Sequence, residues 1–122
     1  MVAPRTVLKV ADNSGAKSLV VIGLGKGTGK RFSYLGQMVT CVVRGANPIG
    51  QVKDHEIVKA VLVRTRKEKR RSDGSYIRFS DNAAVITDPT GNPRGTRIFG
   101  PVASELRDYG YSKIISMARE VV

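Results

Sequence analysis

The stretch that most constrains the fold is residues 57–63, which read IVKAVLV. Its β-branched content favours a β-strand, in which successive side chains point to opposite faces of the sheet. Both alternations are apolar apart from Lys59, so both faces of the strand need to be buried. The stretch therefore predicts a strand that enters a closed or two-sided core.

Four further segments favour strands, because each is short, rich in β-branched residues and bounded by turn residues. They are residues 7–10, 18–24, 38–44 and 83–87. Residues 11–16, which read ADNSGA, predict a turn, since these residue types bond their own backbone or tolerate left-handed conformations. Many short strands at this spacing predict a mainly β fold built on a small barrel.

The last quarter of the chain changes character and predicts two short helices. Gly100 and Pro101 before residues 102–107 predict a short helix with Pro101 at its first position. Ser112 suits the cap of another helix, over 112–118. Helices this short need to pack on the barrel or on a partner. At 122 residues the chain predicts a single domain, with the barrel in 1–99 and a helical part in 100–122.

The most cationic segment is residues 64–71, which read RTRKEKRR, with six cations in eight positions. Residues 72–79, SDGSYIRF, follow with a turn signal, a second short strand and another arginine. We predict a basic β-ribbon over about 64–79. Its charge density suits a phosphate backbone. The alternative is a solvated edge strand protected from aggregation by its charges.

The excess of positive charge extends over the whole chain, with 21 Lys and Arg against 10 Asp and Glu and a formal net charge of +11. A basic surface that is not confined to a tail predicts a folded body that lies on nucleic acid. An anionic membrane is the competing polyanion. The sequence contains no long basic amphipathic helix, and its longest apolar stretch, 19–24, is too short to span a bilayer.

A glycine-rich loop over 23–31 reads GLGKGTGKR and resembles a phosphate-binding loop only superficially. The P-loop pattern requires glycine where Leu24 stands and a hydroxyl residue where Arg31 stands. We expect this loop to bind no nucleotide and to approach RNA phosphates closely instead.

The residues typical of catalytic and metal sites are sparse. Cys41 lies within an apolar strand and His55 within a polar turn, so neither a nucleophile pair nor a zinc site is expected. Asp73, Asp81 and Asp88 each occur in a turn context and are interpreted as turn formers. We therefore expect no enzymatic activity, no metal and no cofactor.

Several collinear segments resemble one family closely. VADNSGA at 10–16 is the first, and KAVLVRT at 59–65, continuing through the basic segment to IRF at 77–79, is the second. GTRIFGPV at 95–102, ELR at 105–107 and KIISMA at 113–118 complete the pattern. The chain resembles the large-subunit ribosomal protein fourteen family, in its bacterial or organellar form, over essentially its full length.

The resemblance implies a five-stranded β-barrel with a projecting basic β-ribbon and short C-terminal helices. It also implies a structural constituent of the large ribosomal subunit that binds large-subunit rRNA near the subunit interface and contributes to an intersubunit bridge. The implied neighbours are large-subunit proteins three and nineteen and, across the bridge, the small-subunit rRNA; a ribosome-silencing factor can dock. The implied location is the ribosome of a bacterial cytoplasm or of an organelle matrix, mitochondrion or plastid. The alternative is a free-standing RNA-binding or translation-factor barrel module.

Two sets of candidate site residues follow. The RNA-binding set consists of cations in the predicted loops, strands and ribbon: Lys9, Lys26, Lys30, Arg31, Arg44, Lys53, Arg64, Arg66, Lys67, Lys69, Arg70, Arg71 and Arg78. The partner-binding set matches the family's silencing-factor surface and consists of Thr96, Arg97, Lys113 and Ser116.

Lys113 and Ser116 are three positions apart, so they share one helical face, while Ile114, Ile115 and Ala118 can turn toward the barrel. Without the resemblance, an ordinary solvated helix face is the favoured interpretation of this region.

The segment 47–56, NPIGQVKDHE, departs from the family. Bacterial members usually carry more basic residues here, with a Lys-Gly-Asp turn. The more acidic segment in this chain weakens the expectation of RNA contacts by this loop and is compatible with an organellar ribosome.

Overall fold

The computed structural model describes residues 2–24 and 31–122, and its main feature is a closed five-stranded β-barrel. The strands and helices, in chain order, are β1 Val7–Val10, β2 Ala16–Gly23, β3 Met38–Ala46, β4 Ile57–Arg64, β5 Lys69–Arg70, β6 Tyr76–Ile77, β7 Ala83–Thr87, β8 Pro101–Val102, α1 Glu105–Asp108, α2 Ser112–Met117 and β9 Glu120–Val121. All five predicted barrel strands are present, and the implied five-stranded barrel is confirmed.

The barrel is an antiparallel meander from β1 to β4 that is closed by β7. β7 pairs antiparallel with β4 and parallel with β1, so the last strand of the barrel joins its first. The register shifts between Val21 and Gly23 in β2 and between Leu62 and Arg64 in β4. Such bulges bend a strand, which a small closed sheet requires.

β4 is buried on both faces, as its apolar sequence predicts. Ala60 and Leu62 lie in the barrel interior with Leu8, while Val61 and Val63 lie in a second apolar cluster outside the barrel. That second cluster is completed by the C-terminal part of the chain, through Leu106, Ile114 and Ile115. The C-terminal part therefore covers one side of the barrel and shares strand β4 with its interior.

The predicted ribbon is confirmed as a separate two-stranded antiparallel sheet of β5 and β6, in which Lys69 pairs with Ile77 and Arg70 with Tyr76. Gly74 closes the turn with φ of 89°, in the left-handed region that glycine tolerates. Asp73 supports the turn, because its Oδ1 accepts hydrogen bonds from the Ser75 backbone N–H and hydroxyl at 3.0 and 2.6 Å.

The C-terminal part contains both predicted helices, but their starts differ from the prediction. Pro101 lies in β8, which pairs in parallel with β9, and α1 begins only at Glu105. Ser112 is the first residue of α2 and not its cap, since Tyr111 holds the cap position without a side-chain hydrogen bond. The pairing of residues far apart in sequence, 101 with 120, overrode the local helix signal of Gly-Pro. No helix in the described ranges is long and apolar enough to cross a membrane.

The predicted turn at 11–16 is confirmed and is tied to the barrel by a buried carboxylate. Asp12 Oδ1 accepts hydrogen bonds from the Ser14 N–H and hydroxyl, and Oδ2 accepts one from the Ile86 N–H at 3.0 Å. Burial raises the pKa of Asp12, while these hydrogen bonds act in the opposite direction. The turn is thereby joined to strand β7.

If both faces of β4 are core, truncation on either face will destabilise the protein. We expect Leu62→Ala to lower the free energy of unfolding by about 3 kcal/mol and Val63→Ala by about 2 kcal/mol, because each leaves a cavity. Ile57→Ala on the same strand is the control and will cost about 0.5 kcal/mol, since that side chain is exposed. Urea unfolding measures all three; a value for Val63→Ala no larger than the control would refute two-sided burial.

Candidate nucleic-acid interface

The ribbon displays a group of exposed cations. Arg66, Lys67, Arg70 and Arg78 are all exposed, on or beside β5 and β6. The base of the ribbon is fixed by backbone bonds, because the Phe79 N–H donates to the Thr65 carbonyl at 2.9 Å. We refer to these four side chains as the ribbon cations. Their guanidinium and ammonium groups are accessible to phosphate oxygens. Lys67 Nζ also lies 3.2 Å from Glu68 Oε1, in an ion pair whose two side chains are both exposed.

Arg64 was predicted to bind RNA, but the structure buries it in the protein. Its Nε donates to Asp81 Oδ1 at 3.0 Å, and its Nη1 donates to the carbonyls of Phe99 and Pro101 at 2.9 and 3.1 Å. Only 10% of its side chain is exposed. Arg64 therefore joins the end of β4 to the C-terminal part. Asp81, interpreted from the sequence as a turn former, is also the ion-pair partner of Arg64.

Arg71 is also committed to an internal contact. Its Nε lies 2.6 Å from Glu105 Oε1, and its Nη2 donates to the Val122 carbonyl at 2.6 Å. The two side chains of the ion pair are only 25% and 14% exposed. Arg71 thus attaches the ribbon to the N-terminal residue of α1, and its charge, like that of Arg64, is paired within the protein.

Lys69 has an intermediate position on the inner side of the ribbon. Its Nζ lies 5.2 Å from the centroid of the Tyr109 ring and 3.3 Å from the Tyr109 hydroxyl. A cation over an aromatic face is attracted to the ring electrons. Lys69 therefore supports the attachment of the ribbon to the C-terminal part, beside Arg71.

The remaining predicted RNA-binding cations are dispersed over the barrel. Lys9, Arg31, Arg44 and Lys53 are exposed, and Lys9 lies 3.8 Å from Asp81 at the base of the ribbon. Lys26 and Lys30, together with most of the glycine-rich loop, lie outside the described residues, so the expectations for that loop stay predictions.

The acids of the unusual segment 47–56 serve internal contacts. Asp54 Oδ1 accepts a hydrogen bond from the Gly45 N–H at 2.8 Å, and this bond lowers the pKa of Asp54. Glu56 Oε2 accepts one from Arg94 Nη1 at 2.9 Å, which holds the pKa of Glu56 below its usual range. Glu56 is therefore paired with a cation of the protein, whereas the hydrogen bond from the Gly45 N–H stabilises the charged form of Asp54 without neutralising it.

The partner-binding set is divided between two neighbouring elements. The Thr96 and Arg97 N–H groups both donate to Asn13 Oδ1, at 2.8 and 3.0 Å, so they lie in a segment fixed to the 11–16 turn. In the same segment Ile98 forms an isolated antiparallel bridge with Asp12.

Lys113 and Ser116 are exposed on α2, while Ile114 and Ile115 are buried, as the helical spacing predicts. A surface cavity of about 370 Å³ lies between the 96–100 segment and the end of α2. Thr96 and Arg97 contribute to its walls, and Lys113 and Ser116 do not.

Two residues that the sequence interpretation missed complete this cavity. Phe99 is exposed with its ring 5.8 Å from the Arg97 guanidinium carbon, and Arg119 also lines the cavity. An exposed phenylalanine beside an arginine is a signal of contact surface, but only the fold places Arg119 next to them.

The groups that could support catalysis are separated. Cys41 is fully buried, and burial raises the pKa of its thiol to about 12, so it is an inert core residue. His55 is exposed in a turn with φ of 65°. Among the described residues no group of three or more His, Cys, Asp or Glu side chains is arranged to hold a metal ion.

The fold and the ribbon define a class: small, strongly basic β-barrel proteins that present a cationic two-stranded ribbon beside a packed C-terminal segment. The family model for ribosomal protein L14p/L23e matches residues 1–122, the whole chain, and the chain belongs to this family. The resemblance noted from the sequence is thereby confirmed. Membership implies a structural role in the large subunit of the ribosome, with large-subunit RNA and ribosomal proteins as partners, in a family that is typically non-enzymatic.

The Arg71–Glu105 pair generates a prediction about stability. We expect Arg71→Met to lower the free energy of unfolding by about 2 kcal/mol, because Glu105 is left mostly buried without its cation. Arg70→Met removes the neighbouring exposed charge and will change it by less than about 0.5 kcal/mol.

Urea unfolding of both variants, and of Arg71→Met combined with Glu105→Leu, provides the measurement. The double variant will recover part of the loss, since no unpaired carboxylate remains. Equal effects of Arg71→Met and Arg70→Met would show that the pair does not attach the ribbon.

Proposed function

We propose that this protein binds large-subunit rRNA through the ribbon cations, near the subunit interface, and contributes to an intersubunit bridge. The observation that carries the proposal is the separation of roles within one cationic run. Arg64 and Arg71 hold the ribbon in place, and Arg66, Lys67, Arg70 and Arg78 stay exposed.

The chemistry of the ribbon favours contact with phosphates over the reading of bases. The ribbon strands carry one aromatic side chain, Tyr76, which is exposed, and stacking platforms for single-stranded bases use successive aromatic rings. A two-stranded ribbon held by an ion pair and a cation–π contact presents its charges in a fixed arrangement. Less conformational entropy is then lost on binding.

The other partners are proposed from the family. Large-subunit proteins three and nineteen are its proposed protein neighbours, and a ribosome-silencing factor is proposed to dock on the Thr96, Arg97, Lys113 and Ser116 surface. The ribosome concerned is that of a bacterium or of an organelle.

A free-standing RNA-binding or translation-factor module is the alternative function. Co-sedimentation distinguishes the two, because a structural constituent stays with large subunits through a high-salt wash and a transient factor is released.

The salt dependence of RNA binding tests the role of the ribbon. We expect Arg66→Ala with Arg70→Ala to weaken binding to large-subunit rRNA and to reduce the slope of log affinity against log salt by roughly two, about one for each lost phosphate contact. Lys17→Ala with Arg107→Ala removes the same charge from exposed positions outside the ribbon and serves as the control. Filter binding over a salt series measures both; identical slopes for the two double variants would exclude the ribbon as the phosphate-binding element.

The proposed partner surface is tested by charge reversal. We expect Arg97→Glu with Lys113→Glu to enter large subunits normally, because neither residue belongs to a core, but to impair subunit joining or silencing-factor docking. Sucrose-gradient profiles of cells carrying the variant give the measurement. Failure of the variant protein to enter large subunits would mean that these residues are RNA or packing contacts.

A further inference from the structure

The outer face of the barrel has two halves that are treated differently. On β4 and β7 the outward side chains Val61, Val63 and Val85 are buried under the C-terminal part. On β1, β2 and β3 the outward side chains are not covered in this way, and several of them are aliphatic. An exposed apolar area of this kind on a small protein commonly marks an interaction surface.

The strand register aligns three of these side chains with Ile57, the exposed first residue of β4, in a single row. Val7 pairs with Val20, Val20 with Val42, and Val42 with Ile57, so the row crosses four adjacent strands. We call these four residues the aliphatic row. At the usual strand spacing it is about 14 Å long. Val7 is 52% and Ile57 65% exposed, and Val20 and Val42 between them are half-buried. Ile22, at 49%, follows Val20 on the same strand.

Cations border the row on both sides. Lys9 follows Val7, and Arg44 follows Val42, by two positions, so each lies on the same face as the valine before it. Both cations pair with Ser18, on one side of the aliphatic row. Lys59 follows Ile57 by two positions, and its Nζ donates to the Thr40 hydroxyl at 2.7 Å. The surface thus has an aliphatic centre and a basic border.

From this arrangement we infer that the aliphatic row docks a neighbouring protein whose contacting surface is aliphatic at its centre and carries Asp or Glu at its edge. Apolar contact and charge complementarity then act together, as in protein interfaces with an apolar core and a polar rim. A second copy of this chain would bring its own Lys9, Arg44 and Lys59 against the same cations. RNA would gain little from four branched aliphatic side chains, which neither pair with phosphate nor stack on bases.

This inference rests on the protein's place in the large subunit but uses residues outside the ribbon. It assigns Lys9 and Arg44 to the border of a protein contact instead of to phosphates. The two proposals can therefore succeed or fail separately.

Site-specific photocrosslinking in large subunits tests the inference. The benzophenone amino acid p-benzoylphenylalanine replaces Ile57 in one variant and Val20 in a second. In a third it replaces Tyr76 on the ribbon, which is exposed to the same 65% as Ile57. After irradiation of purified large subunits, mass spectrometry identifies the products. We expect positions 57 and 20 to join a peptide of another protein that is aliphatic with Asp or Glu nearby, and position 76 to join RNA.

Four outcomes at positions 57 and 20 would overturn the inference. They are crosslinks to RNA, crosslinks to a second copy of this chain, crosslinks to a Lys- or Arg-rich peptide, and the absence of any crosslinked product. If position 76 gives no RNA adduct while position 57 joins an acidic peptide, the ribbon proposal fails and the aliphatic row stands.

A second measurement does not depend on the crosslinker. Val20→Thr with Val42→Thr keeps side-chain shape and strand preference but adds hydroxyl groups to the row. We expect about tenfold weaker retention on large subunits with an unchanged salt slope, because apolar contact and not phosphate contact is lost. Ile49→Thr makes a similar change at an exposed aliphatic residue outside the row and will have no effect. A reduced slope, or equal retention of the two variants, would also overturn the inference.

Discussion

Strand β4 contributes side chains to two cores, and this two-sided burial links every other part of the molecule. Ala60 and Leu62 fill the barrel, while Val61 and Val63 anchor the C-terminal part on its outside. The C-terminal helices are four and six residues long and could not persist without this surface. The position of the ribbon depends in turn on those helices, since Arg71 pairs with Glu105 and Lys69 lies over Tyr109.

The guanidinium of Arg64 fixes the end of β4 at the place where barrel, ribbon and C-terminal part meet. A buried cation is costly unless its charge and its donors are satisfied. Here one carboxylate and two backbone carbonyls accept its hydrogen bonds, from Asp81, Phe99 and Pro101. The cost of burial thus favours one arrangement of these three segments over others that would leave the charge unpaired.

The surface of the molecule separates two kinds of contact. The ribbon cations form a charged surface suited to phosphates, whereas the aliphatic row forms an apolar surface with a basic border. The C-terminal part buries one half of the outer barrel face and holds the ribbon in place. It leaves the other half of that face, which carries the aliphatic row, uncovered. A single segment therefore supports the cationic surface and leaves the apolar one free.

The sequence by itself determined the strands, the barrel class, the ribbon and the family, because these depend on local alternation, turn chemistry and collinear motifs. Residues 83–87 were predicted with the bounds that β7 has. The sequence could not distinguish Arg64 and Arg71 from Arg66 and Arg70, since all four are arginines in one cationic run. Their roles are set by Asp81 and Glu105, which are distant in sequence and come close only in the fold.

The same reason explains the wrong start of the first helix. A proline after glycine signals a helix locally, but Pro101 pairs with Glu120 across the sheet of β8 and β9. The aliphatic row also depends on tertiary structure, because its members lie on four strands and only their register aligns them. Alternation along a chain specifies which face a side chain takes, and pairing between strands specifies its neighbours.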